Sequence, residues 1–286
     1  MKIVDRLGRA PVFSFEFFPP KDAEGVDRLF ETIAELRPYE PGYVSVTYGA
    51  GGSSRRLTVE LVRRIKHEVG IEAMAHLTCV GATRAELGGV LDELRDGGIE
   101  NVIALRGDPP RGTTTFVKTD GGLAHASELV ALVRSRYDFC IAAACYPEKH
   151  LEAADAESDL GYLKAKVEAG ADFLITQLFF DNADYFAFVE RARRAGIDVP
   201  IIAGIMPITN LSQIKRFTAL CGATIPASLL AACEACGNDS DAVRAIGVEH
   251  ATAQCRDLIA RGAPGIHFYT LNRSLATRHV LDRLRR

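Results

Sequence analysis

The chain has no long apolar run, little net charge and no cysteine framework. Nothing in it approaches the ~18 consecutive apolar residues that a membrane span needs. Lysine and arginine number 34 against 37 acidic residues. The basic residues form no stripe, so nucleic acid is not an expected partner. The first residues, MKIVDRLGRAPVF, carry charges but no apolar h-region, so no secretion signal is expected. Seven cysteines is an odd count without compact spacing, which suits a reducing cytoplasm better than a disulfide scaffold. The closing RLRR reads as a solvated helix end. What the chain does have is 286 residues, 48% of them apolar. A (β/α)8 barrel reaches that size as one domain, here expected over 1–286.

Short β-branched or aromatic runs predict strands at 12–18, 43–48, 72–78, 101–106, 139–146, 172–179, 200–206 and 265–270. Between them the apolar residues recur with the helical period. In 26–36, for example, Val26, Leu29, Phe30, Ile33, Ala34 and Leu36 form one stripe. The same period runs through 57–69, 85–94, 126–133, 160–169, 185–195 and 211–220. Repeated strand–helix alternation predicts parallel strands with helices outside, an α/β (TIM) barrel. One stretch breaks the rhythm: 221–263 reads as two more helices, 227–236 and 241–261, inserted before the last strand.

A polar side chain recurs where these strands end: Glu16, Thr47, His76, Asp108, Tyr146, Gln177 and Tyr269, with Arg273 just beyond. In a closed βα barrel the strand C-termini converge on one face, and that face carries the active site. Strand alternation agrees. Phe13, Phe15 and Phe17 share one face of the first strand, while Ser14, Glu16 and Phe18 share the other. In the second strand Val44 and Val46 point outward, and Ser45 and Thr47 inward.

In order, the chain carries FSFEFFPPK, VSVTYGAGGS, HLTC, ALRGDPP, YPEKH, ITQLFFD, GIMPI and HFYTLNR. Each motif is weak alone. The ordered set, from about residue 13 to 273, resembles the methylenetetrahydrofolate reductase family. The resemblance implies a (β/α)8 barrel holding FAD at the strand C-termini. It implies that NADH or NADPH passes a hydride to FAD and leaves. Methylenetetrahydrofolate then binds in the same place and receives the hydride, a ping-pong exchange in which the cofactor carries the redox chemistry. A cytoplasmic homo-oligomer of one-carbon metabolism, feeding methionine synthesis, is implied as well.

By this resemblance Glu16 is the general acid. Opening the bridged methylene to an iminium cation leaves N10 as an amine that needs a proton. A poorly solvated, aromatic setting disfavours the charged form of a carboxyl. The bland alternative is an exposed glutamate on an edge strand. Asp108, in LRGD, would stabilise the cation, bond the pterin and tune the flavin, although Gly-Asp-Pro-Pro is also good turn chemistry. Gln177 offers a donor and an acceptor to a pterin edge. Phe217 would pack on the nicotinamide or the folate aryl ring, or else in the core. Tyr269 and Arg273 match FYTLNR, where the arginine anchors folate or serves a helix start. The residues matched to the FAD site are Thr47, His76, Arg106, Gly107, Asp108, His125, Ala126, Tyr146 and His150. Asp159 would take a ribose hydroxyl and Lys166 a pyrophosphate oxygen.

Tyr162, Ala165, His125 and Cys145 depart from the family pattern and bear on FAD affinity. Larger relatives add a C-terminal domain that binds S-adenosylmethionine, and no such site is expected here. The alternative reading is a flavin-free pterin-binding barrel, a methyltransferase module or folate carrier. Tyr162 and Ala165 lean toward it; Thr47, His76, Asp159 and Lys166 lean against. An aldolase would need a lysine nucleophile at a strand end, and no strand here ends in lysine. Gly49-Ala50-Gly51-Gly52-Ser53 lacks the dinucleotide fingerprint and reads as a loop that lets the cofactor approach closely. Cys233-x-x-Cys236 has no second pair and falls on a predicted helix, so no metal is expected. His76 with Cys79 is likewise too sparse for a metal site.

Overall fold

Alternating side chains on the first strand point to two different cores, and the chain closes on itself to make both. The computed structural model describes residues 1–48, 55–109 and 115–285. Its strands are β1 (Val12–Phe17), β2 (Tyr43–Val46), β3 (Ala73–Thr78), β4 (Asn101–Leu105), β5 (Cys140–Cys145), β6 (Phe173–Thr176), β7 (Ile201–Ile205) and β8 (Gly265–Tyr269). They pair in parallel in chain order, and β8 returns to β1 to close the barrel. The helices are α1 (Ala23–Leu36), α2 (Arg55–Arg64), α3 (Arg84–Asp96), α4 (Ala126–Arg136), α5 (Ala156–Glu168), α6 (Asn182–Arg194), α7 (Leu211–Cys221), α8 (Ala227–Ala235), α9 (Ser240–Ala260) and α10 (Leu275–Leu284).

Each expected strand is present, shorter at its ends by up to three residues. The inserted pair is present too, as α8 and α9 between α7 and β8. Three elements lie outside the expectation: α10 and two 3-10 turns, at Ile3–Arg6 and Arg37–Tyr39; the expected 57–69 helix is present as α2 finished by a π turn at Ile65–Val69. Arginines and a histidine dilute the short apolar stripe of α10, which buries Thr277, Val280 and Leu281. The Gly49–Ser53 loop lies outside the described residues.

Polar caps start the helices locally. Asp22, Asp155, Asp181, Asn210 and Asp239 each accept a backbone N–H of the following first turn, and Thr83 forms a full capping box with Glu86. Such caps contribute about 1 kcal/mol each.

Phe15, Phe17, Val44 and Val46 face outward and are buried with Leu29, Ile33 and Leu36 of α1. Inside the cylinder, Tyr43, Met74, Ile103, Cys140, Phe173 and Ile202 form a second apolar layer, closed from below by Ile3 of the N-terminal turn. The Ile3 amide donates to Asn101 Oδ1 at 2.8 Å, which fixes the plug. Parallel register then sets a polar layer above the apolar one: Ser14 lies beside Tyr43 and His267, and Glu16 beside Ser45 and Tyr269.

Candidate active site

Glu16 sits at the C-terminal end of β1 with 8% of its surface exposed. Its Oε2 is 3.4 Å from His76 Nε2 on β3 and 3.6 Å from His267 Nε2 on β8. His267 Nδ1 lies 2.7 Å from Ser14 Oγ, and its Nε2 lies 3.4 Å from Ser45 Oγ. The Tyr43 ring stacks on His267 at 5.8 Å, while Tyr269 meets it edge-on at 5.5 Å. Burial drives the His76 pKa down to about 4, against the opposing pull of Glu16. His76 therefore faces Glu16 as a neutral ring rather than a counter-ion over the usual pH range, and its Nε2 has no hydrogen-bond partner among the described residues.

Tyr269 is held as firmly. Its hydroxyl donates to the Thr176 carbonyl at 2.6 Å, and burial holds its pKa well above the ordinary phenol value. Phe217 of α7 packs against the apolar cluster that includes Leu178, Phe180 and Ile214, and Tyr269 lines the same cluster. Gln177, one residue past β6, is half-buried, and its Oε1 accepts the Leu178 amide at 2.9 Å. The β8 exit is pinned to β1: Thr270 Oγ1 donates to the Glu16 carbonyl at 2.6 Å. Asn272 exchanges two bonds with the Phe18 backbone, at 2.7 and 2.8 Å. Phe18 was expected to face inward; it lies past the end of β1 and is 40% exposed, because the strand pairing has stopped.

A second group gathers around β4 and β5. The Tyr146 ring meets the His150 ring edge-on at 4.7 Å. The His150 amide donates to Asp159 Oδ2 at 3.1 Å, and its Nδ1 accepts the Glu152 amide at 3.1 Å. Burial and the charge of Arg106 lower the His150 pKa. Arg106 makes a two-pronged pair with Glu152, one bond being 2.7 Å, and lies over the Phe116 ring at 5.1 Å. Lys166 reaches in from α5 to donate to the Ala144 carbonyl at 2.5 Å, and burial lowers its pKa. Gly107 has φ +86°, and a Cβ there would lie 2.8 Å from Val80 Cγ1, so only glycine suits this turn. Asp108 beside it is exposed, yet its charge helps to raise the Tyr146 pKa, as burial does first.

The model of the methylenetetrahydrofolate reductase family matches residues 2–285. The chain belongs to that family. It is 43% identical over 288 residues to methylenetetrahydrofolate reductase (NADH) 1 of Arabidopsis thaliana, covering 95% of this chain and 49% of the plant protein. It is 41% identical over 261 residues to 5,10-methylenetetrahydrofolate reductase of Salmonella typhimurium, covering 91% of this chain and 86% of the bacterial protein. The chain thus spans about half the length of its plant relatives. Among solved structures, an uncharacterized protein from Clostridium thermocellum that binds two copies of 5-methyl-5,6,7,8-tetrahydrofolic acid superposes with TM-score 0.62. At 13% identity, over 99% of this chain and 96% of that one, it shows the barrel fold alone.

In this methylenetetrahydrofolate reductase family member, Glu16, His76 and Tyr269 gather with His267 at the strand C-termini, while Tyr146, His150 and Asp159 make a second contact group and Lys166 bonds the Ala144 carbonyl. Others stand apart. Arg273 is exposed, with its amide bonded to the Thr270 carbonyl. His125 is exposed at the N-cap of α4 without a side-chain cap bond, and Ala126 opens that helix. The Thr47 carbonyl accepts from Thr58 Oγ1 at 2.9 Å. Of the departures, Tyr162 and Ala165 are exposed on α5 and Cys145 is buried in the outer core. Cys233 is buried on α8, where it packs with Leu229 and Val243.

Sequence reasoning missed His267 and Glu152. The signal for His267 was present, since it shares the inward parity of Tyr269 on β8. Nothing in KHLEAAD distinguishes Glu152 as the partner of an arginine 46 residues earlier.

Proposed function

We propose that this chain reduces 5,10-methylenetetrahydrofolate to 5-methyltetrahydrofolate with NADH or NADPH, through bound FAD, with Glu16 as general acid. One observation carries the reading. In a barrel of this family, a buried carboxyl at a strand C-terminus is flanked by two imidazoles, at 3.4 and 3.6 Å.

The residues present suit FAD by their chemistry. Thr78 Oγ1, at the top of β3, is buried and has no hydrogen-bond partner among the described residues. Buried hydroxyls are normally satisfied, so a ligand atom arriving there meets an open donor and acceptor. Lys166 suits a pyrophosphate oxygen, Asp159 a ribose hydroxyl, and the Tyr146–His150 pair an aromatic ring edge. When bound, FAD supplies the hydride transfer between nicotinamide and folate.

The chain's own residues account for the rest. Glu16 gives a proton to N10 as the bridging C–N bond opens. Asp108 places a negative charge near the resulting cation. With its Oε1 engaged by Leu178, Gln177 presents its NH2 group to the pterin edge. Tyr269 and Phe217 supply an apolar wall that excludes water from the reacting carbon.

An anaerobic visible spectrum tests this reading. Flavin bands should bleach when NADH is added and return when methylenetetrahydrofolate follows. A protein without flavin bands, even after reconstitution with FAD, would instead be the flavin-free pterin-binding barrel.

A further inference from the structure

Backbone pairing between β1 and β8 runs from Val12 with Gly265 to Glu16 with Tyr269, and there it stops. Two side chains from the β8 exit carry it further. Thr270 Oγ1 donates to the Glu16 carbonyl at 2.6 Å. The Phe18 amide donates to Asn272 Oδ1 at 2.7 Å, and Asn272 Nδ2 donates back to the Phe18 carbonyl at 2.8 Å. Between them the Phe17 carbonyl turns the other way and accepts the Thr47 amide, just past β2, at 2.8 Å. The backbone groups of residues 16–18 thus go on alternating between the two neighbouring strands, as in a parallel ladder, after the β8 backbone has left.

Asn272 stands on a turn with two left-handed residues. The Arg273 amide donates to the Thr270 carbonyl at 3.0 Å, and the residues between, Leu271 and Asn272, have φ +53° and +57°. Glycine and asparagine suit such central positions; leucine does not. A leucine held there carries strain, which persists only where the surroundings fix the backbone. Here the turn is tied at both ends. The Asn272 amide donates to Thr270 Oγ1 at 3.3 Å, and Ser274 Oγ, just beyond, donates to Glu35 of α1.

Positive φ alone would be served as well by glycine at 272. The paired bonds to Phe18 ask for more: a donor and an acceptor together on a short side chain. Glycine has neither, and an ionised aspartate supplies only the acceptor. We propose that Asn272 is a positioning residue, its amide standing in for the missing rung of the β1–β8 ladder, so that Phe18 and Arg273 are placed for the folate. The inference rests on the reading of this site as a folate site. Phe18 follows Glu16 by two residues, and Arg273 follows Tyr269 by four. Both side chains are exposed, so packing does little to place them and the backbone that carries them matters the more. Asn272 acts through that backbone and takes no part in the reaction itself.

Asn272→Gly tests the proposal, because glycine keeps the left-handed turn and removes the amide. Hydrogen exchange at the Phe18 amide, followed by NMR without folate, should accelerate at least about tenfold in this variant. The Kd for 5-methyltetrahydrofolate should rise about tenfold, the scale of one or two lost hydrogen bonds. In turnover, KM for methylenetetrahydrofolate should rise by more than kcat falls. Asn272→Asp keeps the acceptor for the Phe18 amide and loses the donor. It should lie between the parent and Asn272→Gly in exchange and in affinity, and it serves if the glycine variant does not fold. Parent-like exchange at Phe18 in Asn272→Gly, or faster exchange with parent-like folate affinity, would overturn the proposal and leave Asn272 a turn former. A parent that binds folate without reducing it would keep the positioning role and sink the functional reading, and a parent that binds no folate would sink both.

Discussion

Gly204 makes room for Tyr269. A Cβ built on Gly204 would lie 2.7 Å from Tyr269 Cε2 and 2.3 Å from the Thr176 carbonyl oxygen that the tyrosine hydroxyl bonds. The Gly204 amide meanwhile donates to Thr176 Oγ1 at 2.8 Å, so β6, β7 and the β8 tyrosine are fitted around a missing side chain. Gly204→Ala should push Tyr269 off Thr176. Overpacking of this kind costs about 1–3 kcal/mol. Thermal unfolding should register that loss, and the KM for folate should rise more than that for NADH.

Glu16→Gln keeps the size of the side chain and removes its acid. Flavin content and reduction by NADH should persist, while folate reduction falls by roughly 10²–10⁴-fold, the usual worth of a general acid. Rapid mixing of each half-reaction separates the two. Normal folate turnover in this variant would end the assignment of Glu16 as acid.

His76 ties stability to pH. In the folded protein it takes up a proton near pH 4, against an ordinary value of 6.5. Between those limits the unfolded chain holds more protons, so stability falls as pH drops through the window and is unaffected above it. His150 and His250, also lowered by burial, act in the same direction. Denaturant titrations of His76→Gln should show a shallower loss between pH 6.5 and 4 than the parent.

Lys166→Met retains the apolar stem and removes the buried charge. FAD should bind at least about tenfold more weakly, as expected for one lost charge-assisted bond to phosphate. Fluorescence titration of the flavin-free protein measures it, and unchanged affinity would remove Lys166 from the cofactor wall.

Glu16, His76 and Tyr269 were legible in the sequence because strand alternation fixes which side chains face inward and parallel closure gathers the strand ends. The grouping of Tyr146, His150 and Asp159 was picked out only through resemblance. Asp159 and Lys166 lie on a helix whose period does not distinguish a solvated face from one that reaches the His150 amide and the Ala144 carbonyl. Arg106 needed Glu152, and Phe18 needed the end of strand pairing; both depend on long-range closure that local pattern does not encode. His267 differs: it was missed although parity alone could have found it. A histidine between two apolar neighbours in GIHFY reads as core until the layer beneath it is known to be dry.

Ile3 has a consequence beyond packing. With its side chain wedged among Tyr43, Met74 and Phe173, the cylinder is a cul-de-sac rather than a tunnel. Whatever enters must leave through the doorway it came by. If nicotinamide and folate share that doorway, as the proposed exchange requires, they queue rather than pass, and each should obstruct the other when present in excess.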